Sequence, residues 1–268
     1  MKRILGVLLS MILVLSFAAC GSDSKGSGDS SLTIKEGTLM VGMEIGYPPM
    51  EYLDADGVTP IGFDVEVAYA LGEKLGLEVE LVDTAWDGIF SSLDSNRYDC
   101  IISSVSINES RQQNYNLTNP YVANKIVIVT MRDSGITSPD DLAGLRVATQ
   151  TETTADEYVR ELQNGGLEIG DYFVYDQVIQ CFDELLLGRI DAVVVDSVVA
   201  TYYIGSDSDK IEVVWESSET EPLGICLKKG NDELTALIEE AIDTLYADGT
   251  IGALAEKHFG SNLSEGVR

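Results

Sequence analysis

The sequence predicts an α/β protein made of two lobes, each built on a sheet that helices cover. Strand and helix patterns alternate from residue 39 to residue 102, and a second alternating series runs from residue 126 to residue 195. Such alternation is typical of parallel-rich sheets with helices on both faces. With 268 residues, of which 45% are apolar, the chain is long enough for two domains that each bury a core.

The first series alternates strands with two helices. Apolar spacing predicts a helix that begins at Asp64 and ends near Gly76. A short helix should run from Asp87 to Leu93. Asp87 is its expected N-cap, because a short carboxylate accepts a hydrogen bond from a free backbone N–H. Apolar runs predict the strands of this series at 39–43, 79–82 and 100–102.

The second series repeats the alternation. One helix should begin at Thr154, with Glu157 completing a capping box, and another should run over 178–187 and end at Gly188. The run 192–195 is apolar throughout, as in a buried strand of a parallel sheet. Further strands are predicted at 126–129, 146–148, 172–174 and 224–227, and closing helices at 232–246 and 255–258.

The charge balance excludes one class of function. The chain has 17 basic and 45 acidic residues, a formal net charge of −28. Nucleic-acid binding requires a basic surface, so no nucleic-acid partner is expected. The acidic surface is explained by solubility and self-repulsion, and a bias toward cationic ligands is the alternative.

Cysteines give no functional signal. Cys100, Cys181 and Cys226 have spacings that match no metal motif. We expect three buried free thiols and no metal site, with a Cys181–Cys226 disulfide as the alternative.

Candidate binding residues follow the ends of predicted strands. Ser103 to Ser106 come after one strand, and Asp196 ends another. Ligands of α/β proteins bind beyond the carboxyl ends of strands, and a cleft between two lobes is the default site. The guanidinium of Arg111 can hold a carboxylate through two parallel hydrogen bonds, and Asp196 can hold an ammonium. Together they would grip the two charged groups that every α-amino acid shares.

Short motifs occur in the order of one known family. They are Gly-Tyr-Pro-Pro at 46–49, Gly-Phe-Asp-Val-Glu at 62–66, Trp-Asp-Gly at 86–88, Tyr-Asp at 98–99, the serine-rich run 103–111, Asn-Pro-Tyr at 119–121, Leu-Gly-Arg-Ile-Asp-Ala at 187–192 and Ala-Asp-Gly-Thr at 247–250. Over residues 35–262 the chain resembles the polar amino-acid solute-binding proteins of bacterial ABC importers, the family of the histidine, glutamine and arginine receptors.

The resemblance implies a type II periplasmic-binding-protein fold, in which two lobes joined by two crossover strands close on one amino acid. The first lobe should hold 32–122 plus 223–268, and the second 123–222. It also implies transport rather than catalysis, a permease partner, a monomeric chain and no cofactor.

Family roles carry over to the carboxylate end of the ligand. By resemblance, Arg111 clamps the ligand carboxylate. Ser104 and Ser106 supply hydroxyl and amide donors, with Ser103 close by. Thr154 would meet the same carboxylate from a helix N-terminus, where backbone N–H groups and the dipole favour an anion.

The other roles concern the ammonium and the side chain of the ligand. By resemblance, Asp196 receives the α-ammonium, Tyr47 and Trp86 flank the side chain, and Glu44 takes an acidic position used for basic side chains. A cation between aromatic rings gains about 0.5–2 kcal/mol. Arginine, or else lysine or ornithine, is therefore favoured, and glutamine, cystine or another polar amino acid is the alternative.

Two positions depart from the family pattern. Glu152 stands where the loop before Thr153 usually has glycine, and Ala155 stands where many relatives carry a polar residue. We expect either one ligand contact fewer or a different turn in that loop.

Another class of function uses the same scaffold. Some relatives are cyclohexadienyl dehydratases, in which a positioned acid acts in the cleft, and Glu44 is the candidate for that acid. A nucleophilic hydrolase is disfavoured because the chain has no Gly-x-Ser-x-Gly elbow. The single histidine, His258, lies in a predicted terminal helix. We expect no enzymatic activity.

The N-terminus predicts export. Lys2 and Arg3 precede an apolar stretch to Phe17, as in a signal peptide over 1–20, and the stretch is too short to span a bilayer comfortably. Phe-Ala-Ala-Cys at 17–20 resembles a bacterial lipobox with lipidation at Cys20, an ordinary secretory signal being the alternative. The Gly/Ser-rich stretch 21–31 would be a flexible tether. We expect an extracytoplasmic chain, anchored to the membrane by lipid.

Overall fold

The computed structural model describes residues 32–263 and residue 267. The predicted signal peptide, the tether and Cys20 lie outside the described residues. The strands are β1 (Thr38–Met43), β2 (Tyr52–Leu53), β3 (Pro60–Ile61), β4 (Glu78–Asp83), β5 (Cys100–Ile101), β6 (Tyr115–Leu117), β7 (Ile126–Met131), β8 (Arg146–Gln150), β9 (Asp171–Tyr175), β10 (Ala192–Asp196), β11 (Ile211–Glu216) and β12 (Cys226–Lys228).

Helices connect most of these strands. They are α1 (Phe63–Leu75), α2 (Trp86–Asp94), α3 (Glu109–Asn114), α4 (Thr154–Asn164), α5 (Val178–Leu186), α6 (Ser197–Asp207), α7 (Asp232–Ala247) and α8 (Thr250–Phe259), with a 3₁₀ turn at Pro139–Leu142. Over residues 32–263, no helix is both long and apolar enough to cross a membrane.

Two five-stranded sheets form the centres of two lobes. The sheet of the first lobe has the order β4-β1-β5-β12-β6, and the sheet of the second lobe has the order β11-β7-β10-β8-β9. In the first, β1 is parallel to β4 and β5, while β12 is antiparallel to β5 and β6. In the second, β8 is parallel to β9 and β10, while β7 is antiparallel to β10 and β11. The predicted two-lobed α/β fold is confirmed.

Two chain crossovers join the lobes. Residues 118–125 lead from β6 to β7, and residues 217–225 lead back from β11 to β12. They run antiparallel and are hydrogen-bonded to each other. Leu223 N donates to Val122 O at 3.0 Å, and Glu221 N donates to Asn124 O at 2.8 Å. The predicted lobe boundaries at 122/123 and 222/223 fall inside these crossovers, and the boundaries themselves stay predictions.

Helix α1 shows how the apolar spacing forms the core. Phe63, Val67 and Leu71 lie on one face and are fully buried, where each large apolar side chain contributes about 1.5–3 kcal/mol. The helix ends at Gly76, whose φ of 67° gives the left-handed cap that favours glycine. The prediction for this helix is confirmed, except that it begins one residue earlier, at Phe63.

Two predicted helix caps are wrong. Helix α2 has Ala85 at its N-cap position, so Asp87 lies in the first turn, where its negative charge suits the helix dipole. The cap of α4 is Thr153, whose side chain accepts from the N–H of Asp156, and the Thr154–Glu157 box is not formed. Thr154 is therefore the first helical residue, and its hydroxyl does not serve as a cap.

Other differences concern strands and cysteines. The short strands β2, β3 and β6, the strand β11 and the helices α3 and α6 were not expected from the apolar pattern. Strand β10 is parallel to β8 but antiparallel to β7. Cys100, Cys181 and Cys226 are buried free thiols, so the Cys181–Cys226 disulfide is wrong.

Gly62 fixes the start of α1. Its φ is 132°, and a Cβ there would lie 2.2 Å from Met50 O. The carbonyl of Met50 accepts from Asp64 N at 2.8 Å, so this contact holds the first turn of the helix. We predict that Gly62→Ala lowers the free energy of unfolding by at least about 2 kcal/mol, because a left-handed alanine is strained and the carbonyl must move.

Urea denaturation measures this loss. The matched control is Gly57→Ala, since Gly57 also has a positive φ, of 69°, but has no atom within 4 Å of an added Cβ. The control should cost only about 1 kcal/mol, the strain of a left-handed residue. Equal losses in the two variants would contradict the role given to the Met50 contact.

Candidate functional site

One cavity collects every residue that the sequence singled out for ligand binding. It lies where β1 and β5 of the first lobe and β8 and β10 of the second lobe end. Gln150 and Thr153 also line it, and neither was assigned a role toward the ligand. The lining consists of Glu44, Tyr47, Trp86, Ser103, Ser104, Ser106, Arg111, Gln150, Thr153, Thr154 and Asp196. Their roles toward a ligand stay predictions.

Arg111 brings a positive charge into the cavity. Its backbone N–H is fixed by the Asn108 side chain, the N-cap of α3. The guanidinium carbon lies 5.5 Å from the ring centroid of Trp86 and 5.3 Å from that of Phe90, within cation–π range. Its Nη1 donates to Ser106 O at 3.1 Å. Burial lowers the pKa of Arg111.

The Arg111 charge has no close partner in the protein. Among residues 32–263, no carboxylate lies within 4.0 Å of the guanidinium. A guanidinium has five N–H donors, and the described residues accept from Nη1 alone. The remaining donors suit an anion that enters the cavity.

The serines after β5 divide into two kinds. The Ser103 hydroxyl is engaged by the protein, since it accepts from Glu44 N and donates to Glu51 Oε1. Ser104 has a φ of 49°, and its buried hydroxyl has no hydrogen-bond partner in the described part of the chain. A left-handed residue with an orphaned hydroxyl costs about 1–3 kcal/mol in strain and keeps a donor for a ligand.

Two hydroxyls from different lobes meet beside Arg111. Ser106 Oγ and Thr154 Oγ1 are 3.4 Å apart. Thr154 Oγ1 also donates to Glu221 Oε2 at 2.8 Å. Glu221 comes from the second crossover and was not predicted. Burial, with the charge of Asp196 as a second cause, raises its pKa to about 7.

Asp196 ends β10 and is held by side chains of the first lobe and of the first crossover. Tyr47 Oη donates to Asp196 Oδ2 at 2.6 Å, and Asn124 Nδ2 donates to Oδ1 at 2.7 Å. Burial raises the pKa of Asp196, while these two hydrogen bonds and the Arg111 charge oppose the shift. Asp196 is at the N-cap position of α6, but its side chain makes no capping hydrogen bond there.

Glu44 and Gln150 form a second pair between the lobes. Gln150 Nε2 lies 2.9 Å from Glu44 Oε1 and 2.8 Å from Oε2, and 3.1 Å from Asp176 O. Burial raises the pKa of Glu44 to about 7, and the Gln150 hydrogen bond opposes it. The carboxyl of Glu44 is thus placed to change its charge near neutral pH.

The two departures from the family pattern have structural explanations. Glu152 has a φ of 57°, so it adopts the left-handed conformation that favours glycine. Its carbonyl accepts from Trp86 Nε1 at 3.2 Å, which joins the lobes. Ala155 is buried among apolar residues of the second lobe and does not line the cavity.

A buried carboxyl pair lies beneath the first-lobe side of the cavity. Asp64 accepts from Ser104 N and from Tyr121 Oη, each at 2.8 Å. Burial raises the pKa of Asp64 to about 7 and that of Glu51 well above its ordinary value, with the charge of Asp64 as the second cause for Glu51. The raised pKa values favour a proton on this buried pair, and Glu51 Oε2 has no hydrogen-bond partner in the described part of the chain.

The cavity between two strand-end edges defines a two-lobed solute-binding protein. The chain belongs to the bacterial extracellular solute-binding proteins, family 3, whose family model matches residues 39–261. It is 35% identical over 250 residues to the L-cystine-binding protein TcyJ of Escherichia coli (strain K12), covering 91% of this chain and 92% of that protein. The predicted family is confirmed.

Solved structures match the same fold. An ancestral arginine-binding protein bound to arginine has a TM-score of 0.78 and 35% identity, covering 84% of this chain and 99% of that one. The ancestral amino acid-binding protein AncCDT-1, a precursor of cyclohexadienyl dehydratase, has a TM-score of 0.76 and 32% identity, covering 83% and 96%. The predicted periplasmic-binding-protein fold is confirmed.

The buried carboxyl pair predicts how stability depends on pH. A carboxyl whose pKa is raised in the native state keeps a proton that the unfolded chain releases. Its contribution is therefore full below about pH 4 and is lost as the pH rises toward 7. We predict that the free energy of unfolding falls more steeply between about pH 5 and pH 7 in the wild type than in Asp64→Asn, by about 1–2 kcal/mol.

Urea denaturation at the two pH values measures the slopes. Burial lowers the pKa of His258, so His258 contributes with the opposite sign, but it is present in both proteins and cancels in the difference. Asp54→Asn is the matched control, because Asp54 is exposed, and it should keep the wild-type slope. An unchanged slope in Asp64→Asn would disprove the shared proton.

Proposed function

We propose that this chain is the amino-acid-binding component of an ABC importer and holds one L-α-amino acid between its lobes. The observation that carries the proposal is that Arg111 and Asp196, from different lobes, line the same cavity. One offers donors to a carboxylate and the other accepts from an ammonium. Membership of a solute-binding family supports transport.

The carboxylate end lies against Arg111. Its guanidinium has N–H groups without protein acceptors in the described residues, and Ser104 adds an unpartnered hydroxyl. Ser106 and Thr154 face the same side of the cavity. The N-terminus of α4 adds backbone N–H groups and the positive end of its dipole, which favour an anion.

The ammonium end lies against Asp196. Tyr47 and Asn124 hold its two carboxylate oxygens by one hydrogen bond each. Each oxygen keeps a further lone pair for an ammonium. Burial disfavours the charged form of Asp196, and a ligand ammonium beside the carboxylate offsets this cost.

The proposed ligand carries a second positive charge at its far end, where Glu44 lies. Arginine is our preferred ligand, ahead of lysine and ornithine. Cystine is the alternative that the TcyJ relative supports, and its distal end carries an ammonium for Glu44 together with a second carboxylate. Glutamine has no such group. Trp86 and Tyr47 line the same cavity, and we propose that their rings pack on the ligand side chain.

Binding is coupled to closure of the lobes. Hydrogen bonds such as Tyr47–Asp196, Gln150–Glu44 and Trp86–Glu152 join the two lobes around the cavity. A ligand that contacts both lobes adds to these interactions only in the closed arrangement, so it shifts the population toward closure.

Export, membrane attachment and the transport partner are also part of the proposal. We propose export by the signal peptide over 1–20, lipidation at Cys20, and a monomer that delivers its ligand to a permease in the membrane. The similarity to AncCDT-1 keeps a dehydratase-like activity as the alternative, with Glu44 as its acid. Product formation from prephenate or arogenate would favour the alternative.

Removal of Arg111 is the first test. Arg111→Ala should weaken amino-acid binding by about 2–5 kcal/mol, as expected for loss of one partner of a desolvated charge pair. Isothermal titration calorimetry measures the change. Arg97→Ala is the control, because Arg97 is an exposed arginine of the first lobe, and it should bind as the wild type. Normal binding by Arg111→Ala would exclude this site.

The second test separates the ligands. The wild type should bind L-arginine or L-cystine more tightly than L-glutamine, and Glu44→Gln should remove most of that preference. A ligand cation favours the ionised form of Glu44. Affinity for L-arginine should therefore rise with pH through the Glu44 pKa of about 7 by way of this residue. Calorimetry with all twenty amino acids, ornithine and cystine measures the preference, and tight glutamine binding without an arginine or cystine signal would refute it.

A further inference from the structure

Glu221 lies where the crossovers meet the ligand cavity. Its backbone N–H donates to Asn124 O of the other crossover at 2.8 Å, so the position of its backbone is fixed. Its side chain is half-buried and turns toward the two hydroxyls of the carboxylate end. Neither the strand pattern nor the family motifs marked this residue.

Three oxygen atoms form a cluster there. Glu221 Oε2 lies 2.8 Å from Thr154 Oγ1 and 3.5 Å from Ser106 Oγ, and the two hydroxyl oxygens are 3.4 Å apart. Both hydroxyls belong to the residues assigned to the ligand carboxylate. Any change in the hydrogen bonding of Glu221 therefore changes what Thr154 offers to the ligand.

The number of protons in this cluster decides the direction of its hydrogen bonds. A threonine hydroxyl has one proton to donate. If Glu221 is ionised, Thr154 donates that proton to it, and a ligand carboxylate meets a lone pair and a second negative charge. If Glu221 is protonated, its own O–H donates to Thr154 Oγ1, and the Thr154 proton is free to point at the ligand.

We propose that Glu221 is a positioning residue that must carry a proton for tight binding of the ligand carboxylate, so that ligand uptake takes up one proton at this end of the cavity. This inference rests on the proposed function and deepens it. Glu221 acts through the Thr154 hydroxyl and makes the affinity depend on pH.

The charged groups around Glu221 favour its protonated form. Burial is the main cause of its raised pKa of about 7, Asp196 adds to it, and Arg111 opposes it. The surface cleft beside Glu221 is lined by further acids, while Arg111 is the cation that acts on it. These acids are Glu157 and Glu161 of α4 and Glu219 of the same crossover.

The expected pH dependence has a defined sign. A bound carboxylate adds negative charge beside Glu221 and raises its pKa further, so the complex holds a proton that the free protein releases above about pH 7. By way of Glu221, affinity should be constant below that value and should fall above it by up to about tenfold per pH unit. Glu44, at the other end of the cavity, contributes the opposite sign.

The experiment compares proton uptake in the wild type and Glu221→Gln. Titrations of L-arginine, and separately of L-cystine, at about pH 6 and about pH 8 in two buffers of different ionisation enthalpy give the protons bound. The wild type should take up about one proton more than Glu221→Gln near pH 8, because only ionisable groups contribute to this difference. Glu221→Gln should keep its affinity at the higher pH, since its amide donates permanently.

Control variants separate this role from a structural one. Glu168→Gln, which removes an exposed acid of the second lobe outside this cleft, should show the wild-type profile. Thr154→Ser keeps the hydroxyl and should keep the profile, while Thr154→Ala should weaken binding at about pH 6 and remove the Glu221-dependent proton. Equal proton uptake by the wild type and Glu221→Gln, or loss of affinity by Glu221→Gln at both pH values, would overturn the inference. Failure of the wild type to bind any amino acid would instead overturn the proposed function, and this inference with it.

Discussion

The half-buried guanidinium of Arg111 is the constraint on which the rest of the site depends. It lies among Trp86 and Phe90, and no described carboxylate comes within 4.0 Å of it. Taking an unpaired charge even partly out of water costs free energy. The ring faces and the Ser106 carbonyl offset only part of this cost. In the function proposed above, the complement of this cation is an anion from outside the chain.

The neighbouring carboxyl groups are arranged so that they do not neutralise Arg111. Asp196 is turned to Tyr47 and Asn124, and Glu221 is turned to Thr154. Asp64 lies below the serine loop, where it holds the strained Ser104 by its backbone N–H. Each carboxyl is tied by hydrogen bonds to neutral donors. This arrangement keeps the donors of Arg111 available and concentrates negative charge on the remaining walls of the cavity.

Sequence reasoning selected residues that line one cavity, because they follow strand ends, which the apolar pattern predicts well. Arg111, Asp196 and the serines needed only that pattern and family motifs. Gln150 was not predicted because the strand pattern accounts for it as the last residue of β8. Its partner Glu44 lies on the other lobe, and the sequence pattern does not show that the two residues meet. Glu221 was missed for a similar reason, since it lies in a crossover without periodicity. The N-cap positions are Ala85 in α2 and Thr153 in α4, where Asp87 and Thr154 were predicted. Local composition does not distinguish positions so close in the sequence.

The charges in the closed cavity explain why the assignments at its two ends depend on each other. With Glu221 protonated, the site contributes one positive charge from Arg111 and two negative charges from Asp196 and Glu44. An amino acid with a distal cation adds a carboxylate and two positive groups, which brings the total to three of each sign. A ligand without the distal cation leaves one excess negative charge near Glu44, and an ionised Glu221 adds another beside the ligand carboxylate. Burial penalises each such excess of charge. The distal cation of the ligand and the proton on Glu221 are therefore both needed for a cavity without net charge.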